Sequence, residues 1–435
     1  MSERRLLLIS YLFPPAGGIG VQRALSLARY LPRYGYRVHV LSARNPATPV
    51  MDPDLLRRLP PEVSLHRAFT PEIPFHVRQK LWRWIARPRE DPAGAATGTQ
   101  GQRAGWATGA IRRLLSPDPE VVWRPFAYRA AHALIRRHRI ETVLVTAPPF
   151  SAFLTGVALK RAFPEIQLVS DFRDSWLNFY LSTFDFLQGD SMRRRSTEME
   201  RRTVAASDLV VAVTPSIREE LAARYPDQPA SKFACVLNGY DPEAFAGFRA
   251  RPHGVSRVVV TYVGTVYTAS SPRYYFRALE SLPEAVRARF ETRFIGRVTP
   301  EERPLLDRPG VRELGFLPQA EAFRHLEETD YVLLVMTDAA SVTGKIFEYL
   351  ATGKPILAFS PPGGEVTRIL EQTGGGWCVD PQDLAGARKM LEEAAARAGT
   401  ASIQPDREAI GRFDRSRLAG EYAALIEDRR PKAGR

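Results

Sequence analysis

The sequence is poor in the residues that build disulfide frameworks, zinc sites and membrane spans. Its 435 residues include only two cysteines, Cys235 and Cys378, and neither is joined by histidines at the spacing of a zinc motif. The apolar run within residues 1–10 is too short for a signal peptide or a membrane span. We therefore expect a first strand there, a cytoplasmic protein and no metal site.

Acidic residues are also outnumbered, since 61 Lys and Arg stand against 48 Asp and Glu and give a formal net charge of +13. A basic surface attracts phosphates, nucleic acids or anionic bilayers. No RNP, zinc-finger or helix-turn-helix pattern accompanies the charge, so we expect no nucleic-acid partner. A GC-rich genome also produces an arginine-rich protein, and the charge alone does not choose between these explanations.

Strand-like apolar runs alternate with helical patterns along most of the chain, which predicts an α/β protein with parallel sheets. One series occupies residues 1–240 and a second occupies 257–405, with a linker rich in Gly, Pro, Ala and Arg between them. A helix is predicted within 406–428, and whether it returns to the first domain stays open. We predict two doubly wound, Rossmann-like domains facing across a cleft, with ligands at the carboxyl ends of the strands.

The first domain carries a basic insertion at about 73–115. Within it, residues 93–105 have the small-residue, low-complexity composition of a mobile loop. Residues 75–87 combine basic side chains with one apolar helical face, made by Val77, Leu81, Trp84 and Ile85. This pattern is typical of attachment to an anionic membrane surface, here the inner face of the plasma membrane. A helix packed against the first domain is the alternative.

The most informative segment is 341–359, where a helix is predicted to begin near Gly344 and a buried strand to follow a turn at 353–355. Lys345 and Glu348 lie one turn apart on the same side of that helix. A helix N-terminus with a lysine suits a diphosphate, and a carboxylate accepts two hydroxyl hydrogen bonds, as from a ribose. The segment predicts a site for a nucleoside diphosphate; a solvated helix face is the alternative.

A glycine-rich loop, residues 13–23, follows the first predicted strand. Its glycines, Gly17 and Gly18 among them, let the backbone approach a ligand, although a plain strand–helix turn is the alternative. The spacing Gly-Gly-Ile-Gly departs from the G-x-G-x-x-G fingerprint, and no acid ends the second strand. Both departures disfavour a dehydrogenase.

The segment 170–176, Ser-Asp-Phe-Arg-Asp-Ser-Trp, follows a strand predicted to end at the cleft. An exposed carboxylate of Asp171 or Asp174 is suited to bind acceptor hydroxyls or to take a proton, and Arg173 is suited to bind a phosphate. A helix cap by Asp174 with an Arg–Asp pair is the alternative. The pattern leaves open which of the two acids is catalytic.

These motifs together resemble those of retaining glycosyltransferases of GT-B fold, in the broad family-4-like group, and within it a subset from bacterial polysaccharide biosynthesis. The resemblance extends over nearly the whole chain. It implies that Glu348 holds the donor ribose, that Lys345 acts in catalysis by neutralising the diphosphate, and that the glycine loop lines the site. Further donor contacts are expected from Gly264, Phe316, Leu317, Gly364 and Glu365, with turns and a helix cap as the alternatives.

The resemblance implies transfer of a sugar from a nucleoside diphosphate sugar to a glycan or polyprenyl-linked acceptor, with retention and without metal or further cofactor. The implied setting is the assembly of a cell-surface or extracellular polysaccharide. Three features depart from the group: its first signature Glu is replaced by Ala340, the usual Arg and Lys are missing from 262–268, and a common His is missing near 171–174. A sugar-nucleotide epimerase and a non-catalytic nucleotide-binding scaffold therefore stay open.

Overall fold

The computed structural model describes residues 3–48, 50–72, 114–180, 190–251, 256–399 and 403–430. Two compact units make up the chain: Met1–Val236 with Ala419–Arg435, and Leu237–Leu418. The segment predicted to bind a membrane, 75–87, and the predicted mobile loop, 93–105, lie outside the described residues. Among those that are described, no helix is both long enough and apolar enough to cross a bilayer.

The first unit is built on a seven-stranded parallel sheet of order β3-β2-β1-β4-β5-β6-β7. Its strands are β1 Arg4–Ser10, β2 Tyr36–Ala43, β3 Ser64–Ala68, β4 Thr142–Ala147, β5 Gln167–Phe172, β6 Leu209–Ala212 and β7 Phe233–Cys235. The longer helices are α1 Gln22–Tyr30, α2 Arg124–His138, α3 Ser151–Ala162, α4 Asp190–Ala206 and α5 Pro215–Arg224. The central strand β1 is an unbroken apolar run from Leu6 to Ile9, fully buried, as expected where helices cover both faces of a sheet.

The second unit contains a six-stranded parallel sheet of order β10-β9-β8-β11-β12-β13. Its strands are β8 Val258–Val263, β9 Phe290–Ile295, β10 Val311–Gly315, β11 Tyr331–Val335, β12 Ile356–Phe359 and β13 Gly376–Val379. The helices are α6 Pro242–Phe245, α7 Arg273–Glu280, α8 Glu284–Arg287, α9 Gln319–Glu327, α10 Lys345–Thr352, α11 Glu365–Thr373, α12 Leu384–Arg397 and α13 Arg407–Gly411. The last helix, α14 Arg415–Asp428, begins in this unit and belongs to the first unit from Ala419 onward. The prediction of two doubly wound α/β domains is confirmed.

Helix α10 is positioned by its apolar side, which is buried in the hydrophobic core of the second unit through Ile346, Phe347 and Leu350. The helix ends at Gly353, whose φ of +69° is a left-handed C-cap conformation favoured by glycine. The predicted turn and strand follow directly, as β12 begins at Ile356. Burial of one side leaves the first turn of α10 at the carboxyl edge of the sheet, where parallel α/β proteins bind ligands.

Candidate functional site

The end of β8 and the start of α10 meet at Lys345. Its Nζ donates a hydrogen bond to the hydroxyl of Tyr262 at 2.7 Å and lies 4.3 Å from the centre of the tyrosine ring. Tyr262 in turn donates to the carbonyl oxygen of Thr265 at 2.9 Å. The tyrosine therefore fixes the ammonium group at the carboxyl edge of the second sheet.

Gly264, directly after β8, makes room for this lysine. Its φ of +136° lies in the region that favours glycine, and a Cβ there would be 2.3 Å from both Cε and Nζ of Lys345. A glycine also follows strand β9 directly, and a Cβ on this residue, Gly296, would be 2.2 Å from the carbonyl oxygen of Gly264. Gly296 also donates its N–H to the carbonyl oxygen of Gly315 at 2.7 Å. Close backbone contacts thus connect the ends of β8, β9 and β10.

The first turn of α10 concentrates positive charge. Lys345 is the first helical residue, where its cation faces the positive end of the helix dipole, and Gly344 before it supplies no side-chain cap. Glu348 lies one turn on with 32% of its side chain exposed, and its Oε1 is 3.7 Å from the guanidinium of Arg415. A cation at a helix N-terminus is unfavourable for folding, whereas the same arrangement suits an anion.

A second helix begins at the same edge. Glu365, the first residue of α11, donates its backbone N–H to the carbonyl oxygen of Ala339 at 2.9 Å. A Cβ on Gly364 would lie 2.8 Å from that oxygen, so the glycine allows the two loops to pack together. The side chain of Glu365 is buried and pairs with Arg368 at 3.3 Å. Gly364 thus brings α11 beside the loop that leads to α10.

Three buried polar atoms in these loops have no hydrogen-bond partner among the described residues: Asp338 Oδ2, Ser341 Oγ and Ser360 Oγ. Asp338 and Ser341 lie between β11 and α10, and Ser360 follows β12. Leaving such a group unpaired costs about 1–3 kcal/mol, so native proteins seldom keep several together without a reason. Asp338 also places a carboxylate two residues before Ala340, where the family signature leads one to expect a glutamate.

The loop predicted to contact the nucleotide base follows β10. Phe316 is 66% exposed, and Leu317 is half-buried. Gly315, the last residue of β10, has a φ of +70° and turns the chain at this point. An exposed aromatic ring offers a face for stacking, so the expectation of a base contact at Phe316 or Leu317 stays a prediction.

In the first unit, Asp171 lies in a buried network instead of at the surface. The Arg23 guanidinium donates to it through Nε and Nη2 at 2.9–3.1 Å, Thr146 donates at 2.7 Å, and Tyr422 of α14 donates as well. Burial by itself raises the pKa of Asp171, and Arg23 with these hydrogen bonds outweighs that effect, so the pKa lies below its ordinary value. This full burial favours a structural role for Asp171, contrary to the exposed carboxylate expected from the sequence.

Arg173 and Asp174 differ from Asp171 in their surroundings. The Arg173 guanidinium donates to the carbonyl oxygens of Gly20 and Pro148, and it thereby joins the glycine loop to the end of β4. Burial lowers the pKa of Arg173 in spite of the nearby Asp174 carboxylate. Asp174 itself is half-buried, and whether it or Arg173 takes part in catalysis stays a prediction.

The glycine loop is shaped by contacts within the first unit. Gly17 donates its N–H to the carbonyl oxygen of Val50 at 3.0 Å, and a Cβ there would lie 2.9 Å from the Val50 side chain. Gly18 has a φ of +87°, and no atom of the residues that the structure describes lies within 4 Å of an added Cβ, so the backbone conformation is what favours glycine there. The close approach expected of Gly17 is therefore made to its own chain, and a ligand contact at Gly17 or Gly18 stays a prediction.

Several residues of these arrangements were not found from the sequence, namely Arg23, Tyr262, Asp338, Arg415 and Tyr422. Tyr262 is the last residue but one of an apolar strand, where a tyrosine is an ordinary core residue. The partners in the Asp171 network are up to 399 residues apart in the chain, and no local pattern marks them. Only the folded chain brings these groups together.

Comparison with known proteins agrees with the resemblance. Residues 87–244 match the family model described as Glycosyltransferase Family 4. The chain is also 29% identical over 119 residues to the probable glycosyltransferase WbjE of Pseudomonas aeruginosa. This alignment covers 27% of the chain and spans 28% of the length of that relative.

Solved structures resemble the chain over nearly its whole length. Anabaena Alr3699/HepE, solved in complex with UDP-glucose, has a TM-score of 0.61 at 14% identity and covers 98% of this chain and 99% of its own. WaaG, a glycosyltransferase involved in lipopolysaccharide biosynthesis, has a TM-score of 0.57 at 12% identity and covers 97% and 99%. The chain has the GT-B fold of these glycosyltransferases, and its similarity to family 4 is confirmed.

Proposed function

We propose that the protein is a retaining glycosyltransferase that uses a nucleoside diphosphate sugar and acts on a glycan or lipid-linked acceptor. The observation that carries the proposal is the first turn of α10. There an ammonium group held by Tyr262 stands at an uncapped helix N-terminus, with the Glu348 carboxylate one turn away. Similarity to the glycosyltransferases named above supports the same reaction class.

The donor would occupy the carboxyl edge of the second sheet. Its diphosphate would accept hydrogen bonds from the N-terminal N–H groups of α10 and from Lys345, because both offer positive charge. The two ribose hydroxyls would donate to Glu348. The base would lie against the loop of Phe316, and the sugar would lie toward the unpaired polar atoms of Asp338, Ser341 and Ser360.

In the proposed reaction, the bond between the anomeric carbon and the diphosphate oxygen breaks while an acceptor hydroxyl oxygen bonds to the same face of that carbon. The bonding electrons leave with the diphosphate, and the acceptor proton passes to a diphosphate oxygen. Lys345 and the α10 dipole would stabilise the negative charge that grows on the leaving group, which is electrostatic catalysis. Since these groups supply the positive charge, we propose that the reaction is independent of metal.

The acceptor side is assigned to the first unit, following the resemblance. Asp174 is the better candidate for an acceptor contact, because it is partly exposed. Asp171 is buried, and both of its carboxylate oxygens already accept hydrogen bonds. Arg173 would position the glycine loop through its bond to Gly20. The biological setting we propose is assembly of a bacterial surface polysaccharide, with the enzyme in the cytoplasm or at the inner face of the plasma membrane.

The reaction class is tested by incubating the full chain with a panel of nucleoside diphosphate sugars, with and without EDTA and lipid-linked acceptors. A glycosyltransferase is expected to release the nucleoside diphosphate from one donor, slowly without acceptor and faster with it. Lys345→Met should slow the release, and the matched control Lys389→Met, on the exposed side of α12, should not. The anomeric configuration of the product, followed by NMR, checks retention.

The two rival functions give different results in the same experiment. An epimerase would interconvert the sugar while it is still linked to the nucleotide and would need no acceptor. A scaffold would bind nucleotide and convert none of the donors. Either result would overturn the proposed transfer reaction, and loss of activity in EDTA would overturn its independence of metal.

A further inference from the structure

Three histidines meet in the first unit, away from the loops described above. His39 lies on β2, His66 lies on β3, and His138 is the last residue of α2. One ligand nitrogen from each can be chosen so that all three lie within 4.8 Å of one another. The ring centres of His39 and His138 are 4.4 Å apart, and those of His39 and His66 are 5.5 Å apart.

The topology of the sheet explains why they meet. Parallel pairing aligns His39 with Ser64 and Leu41 with His66, so the two histidines are diagonal neighbours on adjacent strands. Helix α2 ends beside them with Arg139 in a left-handed conformation, φ +49°. Arg5, near the start of β1, donates to the carbonyl oxygen of His138 at 3.2 Å. The cluster is therefore toward the amino edge of the sheet, opposite the glycine loop.

The geometry of the cluster is close to that of a metal site. Nδ1 of His39 is 3.2 Å from Nε2 of His66. Two nitrogens bound to one tetrahedral Zn²⁺ at about 2.0–2.1 Å would be about 3.3 Å apart. Only 1% of the surface of His39 is exposed, and its Nε2 has no hydrogen-bond partner among the described residues.

We propose that His39, His66 and His138 bind one divalent transition-metal ion, with Zn²⁺ as the preferred metal. Three neutral imidazoles are a donor set that suits Zn²⁺, and they leave a fourth position open. A cavity of about 290 Å³ adjoins two of the histidines and is lined by Arg5, Arg37, Arg137 and Arg139. An anion or hydroxide in the fourth position would be favoured by these arginines.

The same arginines repel a dication, and this repulsion is the main argument against the site. Three of the four, Arg37, Arg137 and Arg139, are exposed, so water and salt screen their charges. The negative end of the α2 dipole lies at His138 and acts in the opposite direction. A bound ion would join β2, β3 and the end of α2, and it would stabilise the first unit without taking part in the sugar-transfer chemistry.

The test is calorimetric titration of the full, untagged chain with ZnCl₂ after treatment with EDTA, together with thermal unfolding with and without zinc. We expect one zinc per chain and a rise in Tm, because an ion that binds only the folded state stabilises it. His66→Ala should weaken binding by more than about 100-fold, since second-shell partners alone account for about 10–100-fold. His138→Asn is the second variant, in case His66→Ala does not fold.

The matched control is His132→Ala, on the same helix α2. This histidine packs against the rings of Tyr128 and Phe163 and, in the part of the chain that the structure describes, belongs to no cluster of metal ligands. Zinc binding should be unchanged in it. Absence of zinc binding in the wild type, or equal binding by His66→Ala and His132→Ala, would overturn the proposal. Binding of inorganic phosphate without zinc, lost in Arg37→Ala, would instead identify the cavity as an anion site.

Discussion

Lys345 occupies a position where its charge is unfavourable for the folded protein. A cation in the first turn of a helix opposes the dipole by about 0.3–1 kcal/mol, and Tyr262 offsets this through a hydrogen bond and its ring. Active sites often contain residues that lower stability because activity requires them. The lysine therefore links the local electrostatics of α10 to the proposed leaving group.

Replacement of Lys345 by Met should separate function from stability. We expect the affinity for the nucleoside diphosphate and the rate of donor cleavage to fall, because the fixed charge beside the diphosphate is lost. The free energy of unfolding should stay within about 1 kcal/mol of the wild type, since removal of the dipole conflict offsets the lost hydrogen bond. Urea unfolding and calorimetry measure the two effects. A variant that unfolds readily and binds normally once folded would contradict this role.

Gly264→Ala tests the space beside the lysine. A Cβ 2.3 Å from Cε and Nζ must displace Lys345, and the φ of +136° adds backbone strain of about 1–3 kcal/mol. We expect loss of nucleotide binding together with a lower Tm.

The matched control for this substitution is Gly353→Ala at the other end of α10. Its φ of +69° also adds strain, but no atom of the described residues lies within 4 Å of the added Cβ. It should lower the Tm and leave nucleotide binding intact. If both variants bind nucleotide equally well, the close contact with Lys345 does not matter for binding.

At the scale of elements, the part of α14 that belongs to the first unit is held there by a buried network of hydrogen bonds around the Arg23–Asp171 ion pair. Tyr422 donates to Asp171 and accepts from Arg23 at 2.9 Å, while Arg23 also donates to the carbonyl oxygen of Val236 at 2.8 Å. Every oxygen of the Asp171 carboxylate has a donor, which is what makes a buried ion pair tolerable. The network fastens α14 to the ends of β5 and β7.

Asp171→Asn should destabilise the protein by about 3–5 kcal/mol, because it leaves the Arg23 charge buried without its counter-ion. The pKa of Asp171 is lower in the folded protein than its ordinary value, so its contribution is complete above about pH 4. That contribution is lost as the pH falls from there through the folded pKa. Urea unfolding of the wild type and of Asp171→Asn should be measured from about pH 3 to about pH 7. The difference in their free energies of unfolding should shrink only at the acid end of this range.

Glu198→Gln on α4 is the control for this substitution. The carboxylate of Glu198 pairs with Arg201 and Arg202 at the surface, where ion pairs contribute little. The unfolding curve of this variant should therefore overlay that of the wild type. A small effect of Asp171→Asn, similar to that of Glu198→Gln, would contradict the structural role of the network.

Individual elements show how far the sequence alone predicts the fold. Strands β8, β11 and β13 are apolar runs within the second alternating series, and this pattern predicts them as strands. Strand β10 is not marked by the sequence, because it is an edge strand with exposed Arg312 and Glu313 and lacks an apolar pattern. The first turns of helix α4, which begins at Asp190, are polar and carry no apolar pattern from which to predict them.

The candidate site was predicted in part. Lys345 and Glu348 stand out because one helix sets their spacing, and that spacing is written in the sequence. Tyr262, the Asp171 network and the histidine cluster each depend on strands brought together by folding. The expectation of no zinc site rests on the spacing of cysteines and histidines along the chain. Such spacing does not show which histidines of separate elements meet in the folded protein.

For the whole molecule, each unit has its own candidate ligand. A nucleoside diphosphate should protect backbone amides around Gly264 and the start of α10 from hydrogen exchange, and zinc should protect β2, β3 and the end of α2. Exchange measured by mass spectrometry with each ligand in turn gives the two maps. Protection by both ligands in the same segments would contradict the assignment of separate sites to the two units.

The central claim is that the first turn of α10 binds the nucleotide of the donor. Its most direct test is calorimetric titration of UDP, GDP, ADP and dTDP into the wild type, Glu348→Ala and the control Glu371→Ala, an exposed acid on α11. We predict that one nucleotide binds, that Glu348→Ala weakens it by about 1–3 kcal/mol, and that Glu371→Ala does not. No binding at millimolar concentration, or equal binding by all three proteins, would contradict the claim.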